Sequence, residues 1–183
     1  MVFGSSACKP KSELYSFAEN LGSVAVRNGF TVANGGYDGT MDAAAKGARS
    51  VDGSVIGITT DEITRCDPSA YLTEEFREPT LMGRLEICLT IADVFIALPG
   101  SIGTLAEMVL AWNKLELDLI PTRPLIAVDR KWQKIFDIMF AKDPLVPKSS
   151  WKQDSKIVKT TTFVETIEKI DNMLVKFTTN VYN

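Results

Sequence analysis

Hydrophobic positions in this chain follow two alternating rhythms. Short runs rich in apolar and β-branched residues, Met1 to Gly4, Phe30 to Ala33, Ser54 to Ile58, Asp93 to Leu98, Pro124 to Val128 and Ile157 to Thr160, predict strands. Segments of helical periodicity separate them: Ser12 to Asn28, Thr40 to Arg49, Thr80 to Ala92, Thr104 to Leu117, Lys131 to Phe140 and Phe163 to Phe177. In the first helix Leu14, Phe17, Leu21 and Val24 form the apolar stripe, and in the second Ala43, Ala44, Gly47 and Ala48 predict close approach to the sheet. Strand–helix alternation of this kind predicts an α/β three-layer sandwich around a central parallel sheet, with residues 1–183 in a single domain. Asp93 to Leu98 is the most apolar strand and is expected near the sheet centre. Thr59 to Glu78 has weak periodicity and is flanked or broken by Pro68 and Pro79, which predicts a long loop covering a site; the Pro144 and Pro147 stretch is expected to be irregular.

Composition narrows the function classes. A net charge of -3 gives no general excess of cations for a nucleic-acid backbone, which favours a small ligand over nucleic acid. No basic segment leads into an apolar signal core, and no apolar run reaches the ~18 residues of a membrane span, so a cytoplasmic protein without a membrane partner is expected. Cys8, Cys66 and Cys88 are widely spaced and form no CxxC pair, which favours a reducing compartment and suggests no zinc site. Histidine is absent, so imidazole chemistry within the chain is excluded and acid–base work falls to carboxylates, lysines, tyrosines or cysteines.

Three small-residue turns follow predicted strands: Gly4-Ser5-Ser6, Gly35-Gly36-Tyr37-Asp38-Gly39 and Pro99-Gly100-Ser101-Ile102-Gly103-Thr104. A parallel sheet binds ligands beyond the carboxyl ends of its strands, where helix N-termini offer unpaired N–H groups to anions. The three turns are therefore expected to converge on a phosphate. The third has neither the Lys-Ser/Thr ending of a Walker loop nor the spacing of a dinucleotide fingerprint, which disfavours ATP hydrolysis and hydride transfer.

The segment Leu98 to Glu107 resembles the PGGxGTxxE motif of the lonely guy (LOG) family, phosphoribohydrolases formerly labelled lysine decarboxylases. Val2 to Ser6, Gly35 to Met41 and Ser54 to Ile58 are similar to the family's opening strand and turn, second glycine turn and third strand, and Arg84 occupies the arginine position of its MHxRK motif. Ser101, Met82 and Leu85 depart from the motif glycine, histidine and lysine, and Asn34 and Thr40 from the glycine turn's first glycine and its leucine. The resemblance implies a Rossmann-like fold, a homodimer or higher homo-oligomer, no resident cofactor, and cleavage of the N-glycosidic bond of a purine nucleoside 5'-monophosphate. It assigns catalysis to Arg84 and Glu107 and phosphate binding to the glycine-rich turns. The related molybdenum-cofactor carriers imply the alternative of binding a nucleotide or phosphate-bearing cofactor without turnover. PLP-dependent decarboxylation lacks a recognisable cofactor-lysine context in this chain.

The same residues have plainer readings. Thr104-Leu105-Ala106-Glu107 matches a helix capping box, and Arg84 with Glu86 and Glu78 could form a solvated ion pair worth under ~1 kcal/mol. Glu62, Glu74 and Glu75 read as loop charges, and Cys88 shares an apolar stripe with Leu85, Leu89 and Ala92 as a core residue. Trp112, Trp132 and Trp151 are too scattered to make a stacking box, and apolar residues of the helix after the third turn, including Val109 and Trp112, are candidates for a subunit interface.

Overall fold

Seven parallel strands lie in the order β4-β3-β2-β1-β5-β6-β7 in the computed structural model, which describes residues 1–139 and 155–181. They are β1 (Val2–Phe3), β2 (Val32–Asn34), β3 (Val55–Thr60), β4 (Glu74–Glu78), β5 (Phe95–Ala97), β6 (Leu125–Val128) and β7 (Thr161–Val164). The helices are α1 (Glu13–Arg27), α2 (Thr40–Arg49), α3 (Leu81–Thr90), α4 (Ile102–Glu116), α5 (Arg130–Met139), α6 (Lys156–Thr160) and α7 (Ile167–Val181). This is a Rossmann-like α/β sandwich, as the alternation predicts.

Side-chain alternation along each strand divides the core in two. Val2, Ile96, Leu98, Ile126 and Val128 face α1, α2 and α7, while Phe3, Phe95, Ala97, Leu125 and Ala127 face α3, α4 and α5. A period of two in sequence thus supplies both faces of a sheet covered on both sides. The very short β1 is the middle strand; Phe95–Ala97 is interior, one place from the centre.

Four predicted elements differ from the observed ones. Thr59 to Glu78 is not one long loop: its start completes β3, and its end forms the parallel edge strand β4, where Glu74 and Glu75 are strand residues. A largely exposed, charged edge strand carries little hydrophobic signal, since pairing on one side is enough to hold it. Ile157 to Thr160 is helical in α6, and the strand lies just after it at Thr161–Val164, taking Phe163 from the predicted last helix. The small residues of α2 serve mainly an approach to α1: a Cβ on Gly47 would lie 1.7 Å from the Glu19 carbonyl oxygen. The buried side of α1 is Tyr15, Ala18, Leu21, Gly22 and Ala25, rotated from the predicted stripe for the same reason. Phe140, the Pro144 and Pro147 stretch and Trp151 lie outside the described residues. Among the described residues no helix is long and apolar enough to cross a membrane.

Candidate functional site

Strands β2, β1 and β5 are adjacent and parallel, so the turns leaving their carboxyl ends meet on one sheet edge. The first two turns are fastened together: Thr40 donates its backbone N–H to the Ser5 carbonyl at 2.9 Å, and its hydroxyl donates to the same oxygen at 3.3 Å. Gly39 has φ 75°, and a Cβ there would fall 2.1 Å from the Ser5 oxygen, so both backbone conformation and space demand glycine. Asn34, buried at the end of β2, accepts from the Gly36 N–H at 2.7 Å and donates to the Met41 carbonyl at 3.1 Å. Its side chain thereby holds the turn together from inside. Ser6 is exposed, while Ser5 accepts from the Ala7 N–H through its hydroxyl.

The third turn ends in α4. Ser101 is its N-cap residue but makes no side-chain capping bond, and the first turn of the helix contains no acidic residue. Helix geometry leaves the leading N–H groups at Ile102, Gly103 and Thr104 without intrahelical acceptors, and the positive end of the helix without a compensating carboxylate. Ser101, Ile102 and Gly103 are exposed, whereas Pro99 and Gly100 are half-buried and Thr104 is buried. An anion would meet donors here.

Glu107 is one turn further along α4 and does not form the capping box that its spacing allows, because the helix begins before Thr104. Its side chain turns inward, 14% exposed, with Oε1 3.8 Å from Nη1 of Arg84. Burial pushes the carboxyl up to about 7, with the Arg84 charge opposing. Arg84 comes from α3 and is 5% exposed, so it is no surface ion-pair residue. Its Nε donates to the Ile58 carbonyl at 2.7 Å and Nη2 to the Gly35 carbonyl at 3.1 Å, while the guanidinium lies 5.7 Å from the Tyr37 ring centroid. A Cβ on Gly35 would fall 1.9 Å from Nη2, so this glycine is what admits the guanidinium to the turn. Tyr37 is fixed in turn by donating to the Thr60 carbonyl at 3.1 Å and accepting from the Thr60 N–H at 2.9 Å.

Nearby charges have other tasks. Glu86 pairs with Lys114, and Glu62, read from the sequence as a loop charge, accepts the Leu81 N–H at the start of α3. Leu85 is buried, and Cys88 is buried with its thiol pushed up to about 12, which suits a core residue. Trp112 is buried within the chain and donates to Thr161 Oγ1 at 3.0 Å, so it is corrected from interface candidate to core residue; Val109 is exposed. A cavity of about 500 Å³ opens at the opposite, amino-terminal edge of the sheet, lined by Val2, Phe30, Val32, Ile96 and Phe177 among others. Asp93 is the one carboxylate in that lining and interacts electrostatically with the buried Met1 amino group, which donates to the Val94 carbonyl.

Two contributors at this edge escaped the sequence reading. Asp42, at the start of α2, accepts from the Tyr15 hydroxyl and from the Ser69 hydroxyl, each at 2.7 Å, and Ser69 also donates its N–H to the Gly36 carbonyl at 2.8 Å. The segment between β3 and β4 is thus tied to the second turn. Lys131, after β6, donates to the Gly100 carbonyl at 2.5 Å. Its signal was position alone: β6 is parallel to β5, so its following turn must reach the same edge, but no glycine marks it.

Comparison with known proteins agrees with the resemblance seen in the motifs. An uncharacterized protein of Archaeoglobus fulgidus is 33% identical over 112 residues, covering 60% of this chain and 70% of that protein. A cytokinin riboside 5'-monophosphate phosphoribohydrolase of Mycobacterium tuberculosis is 29% identical over 126 residues, 68% of this chain and 67% of its own. The solved structure of the molybdenum cofactor binding protein of Rippkaea orientalis shares the fold with a TM-score of 0.73 at 21% identity, over 96% of this chain and 94% of that one. The model of the SLOG cluster4 family matches residues 1–143, which include all three glycine-rich turns, Arg84 and Glu107, and the chain belongs to that family.

Proposed function

We propose that this protein hydrolyses the N-glycosidic bond of a purine nucleoside 5'-monophosphate, releasing the base and ribose 5-phosphate. The observation that carries the reading is the buried Arg84–Glu107 pair directly behind an uncompensated helix N-terminus. In this reading the phosphate is received by Gly100 to Thr104, with the turns Gly4-Ser5-Ser6 and Gly35, Gly36 and Gly39 forming the adjoining wall. The ribose then lies toward Glu107. As the bond between the anomeric carbon and the base nitrogen breaks, positive charge builds on the sugar, and a carboxylate there stabilises it. Water adds its oxygen to the anomeric carbon and its proton goes to the departing base. A carboxyl raised to about 7 exchanges protons readily at neutral pH, which suits it to accept that proton from water and pass it on. Arg84 is a positioning residue: it shapes the second turn through the Gly35 carbonyl and holds Glu107.

The second reading is a carrier that binds a nucleotide or phosphate-bearing cofactor without turnover. Leu85 favours it, since a buried leucine there supplies no cation to a reacting substrate. The test is release of free adenine and ribose 5-phosphate from AMP, measured beside a binding titration. Turnover that falls by orders of magnitude in Glu107→Gln with AMP affinity retained supports the hydrolase, and unchanged turnover refutes the role of Glu107. AMP binding by the wild type without measurable turnover decides for the carrier. A homo-oligomer formed through the exposed side of α4 completes the proposal.

A further inference from the structure

We propose that Lys131 is the side chain that neutralises the ligand's phosphate, swinging from the Gly100 carbonyl onto a phosphate oxygen. The inference rests on the reading of Gly100 to Thr104 as the phosphate loop. A phosphate monoester carries about -1.5 to -2 charge near neutral pH, and a helix N-terminus offsets only roughly half a unit. Arg84 cannot supply the remainder. Its guanidinium is buried and committed to the Ile58 and Gly35 carbonyls and to Glu107.

The chain delivers Lys131 to the loop by a constrained turn. Asp129, the residue after β6, has φ 113°, a conformation that a non-glycine residue adopts only under strain. Its side chain accepts the Lys131 N–H at 2.8 Å, and its carbonyl accepts the Trp132 N–H at 3.2 Å. Trp132 is fully buried and donates Nε1 to the Leu98 carbonyl at 3.1 Å, which locks the first turn of α5 to the residue two before Gly100. The anchored backbone thus sits beside the loop while the lysine stem stays exposed and free to pivot. Its ammonium lies 4.7 Å from the Trp132 ring centroid and donates to the Gly100 oxygen at 2.5 Å. Arg130 beside it is paired with Glu165, and Lys114 with Glu86, whereas Lys131 makes no salt bridge among the described residues. A neutral carbonyl is a weaker partner for an ammonium than a phosphate oxygen, so an arriving phosphate takes over the bond.

The test uses Lys131→Met and Lys131→Arg in the full chain, titrated calorimetrically with ribose 5-phosphate and with AMP. Lys131→Met is expected to weaken both ligands about tenfold or more, to leave the melting temperature of the unliganded protein unchanged, and to be largely rescued in Lys131→Arg. Where AMP is turned over, the loss falls on KM rather than kcat, because the phosphate is held alike in ground and transition states. Wild-type affinity in Lys131→Met overturns this assignment alone, as does a loss that comes with a lowered melting temperature and no rescue by arginine. Failure of the wild type to bind either compound overturns the phosphate-loop reading itself, and with it this one.

Discussion

Replacing Glu107 by glutamine separates two forces that act on the centre of the site. Burial raises the carboxyl from its ordinary 4.5 to about 7, and the Arg84 charge pulls it down without prevailing. A group whose folded value lies above its unfolded one contributes stability that is fully present below about 4.5 and is lost as pH rises through about 7. At about 1.4 kcal/mol per pH unit, that gap amounts to about 3 kcal/mol lost in ionising Glu107 inside the fold. Glutamine keeps the shape of the protonated carboxyl and stays neutral. Wild type and Glu107→Gln should therefore have similar stability near pH 4, and the variant should become progressively the more stable protein as pH rises above about 4.5, by up to ~3 kcal/mol once pH passes about 7. Urea unfolding of both proteins across this range gives the answer as a difference, in which the other titrating groups cancel. A wild type that is more stable than Glu107→Gln at about pH 8, with the gap closing in acid, would refute the reasoning, because it would mean that pairing with Arg84 outweighs burial.

Two other outcomes follow from the geometry of the same edge. Gly103→Val should fold normally, since a Cβ there meets nothing within 4 Å, yet should weaken AMP binding; Gly39→Ala should instead lower stability by ~1–3 kcal/mol or more, through its φ of 75° and the 2.1 Å approach to Ser5, and chemical denaturation of the two variants beside an AMP titration distinguishes them. Ile102, 78% exposed at the start of α4, and exposed Val109 seven residues on lie on one helix face, so Ile102→Asp combined with Val109→Asp should shift an oligomer toward monomer by light scattering without lowering the monomer's melting temperature, and a wild type that is already monomeric at micromolar concentration counts against that surface.

What could be read from the sequence was what local pattern encodes. The strand–helix alternation and the glycine turns are short-range signals, and they placed the parallel sheet and the edge on which the three turns meet. Glu107 illustrates the limit. Thr104-Leu105-Ala106-Glu107 satisfies the capping-box spacing, but whether a glutamate folds back onto its own helix or turns inward depends on where the helix begins and on a guanidinium from α3. Neither is visible in four residues. Arg84 was identified through resemblance; its burial follows from carbonyls at Ile58 and Gly35, distant in sequence, that only the folded chain brings to it. The edge strand β4 was missed because Glu74-Glu75-Phe76-Arg77-Glu78 gains its place by backbone pairing to β3 rather than by apolar burial. Lys131 was missed because only its place after a parallel strand points to it.

The hydrolase and carrier readings ask different things of the charge on Glu107. An ionised Glu107 close to a bound phosphate is repelled by it, and its own burial already disfavours the ionised form, so in the ground state the carboxylate weakens binding. A protein that only holds its ligand gains no binding energy from such a group, whose use there is confined to pairing the buried Arg84. In the proposed hydrolysis the balance reverses as the glycosidic bond stretches. The sugar then becomes cationic, and the carboxylate that opposed the ground state now attracts the reacting centre in surroundings that screen poorly. Interactions that strengthen only along the reaction coordinate are the ones that raise turnover. Arg84 keeps the side chain in place, and because it lowers the carboxyl less than burial raises it, Glu107 remains able to change protonation state near neutral pH. On the proposed hydrolase reading, the placement of this one glutamate serves the reaction, and the turnover of Glu107→Gln is the measurement that tests it.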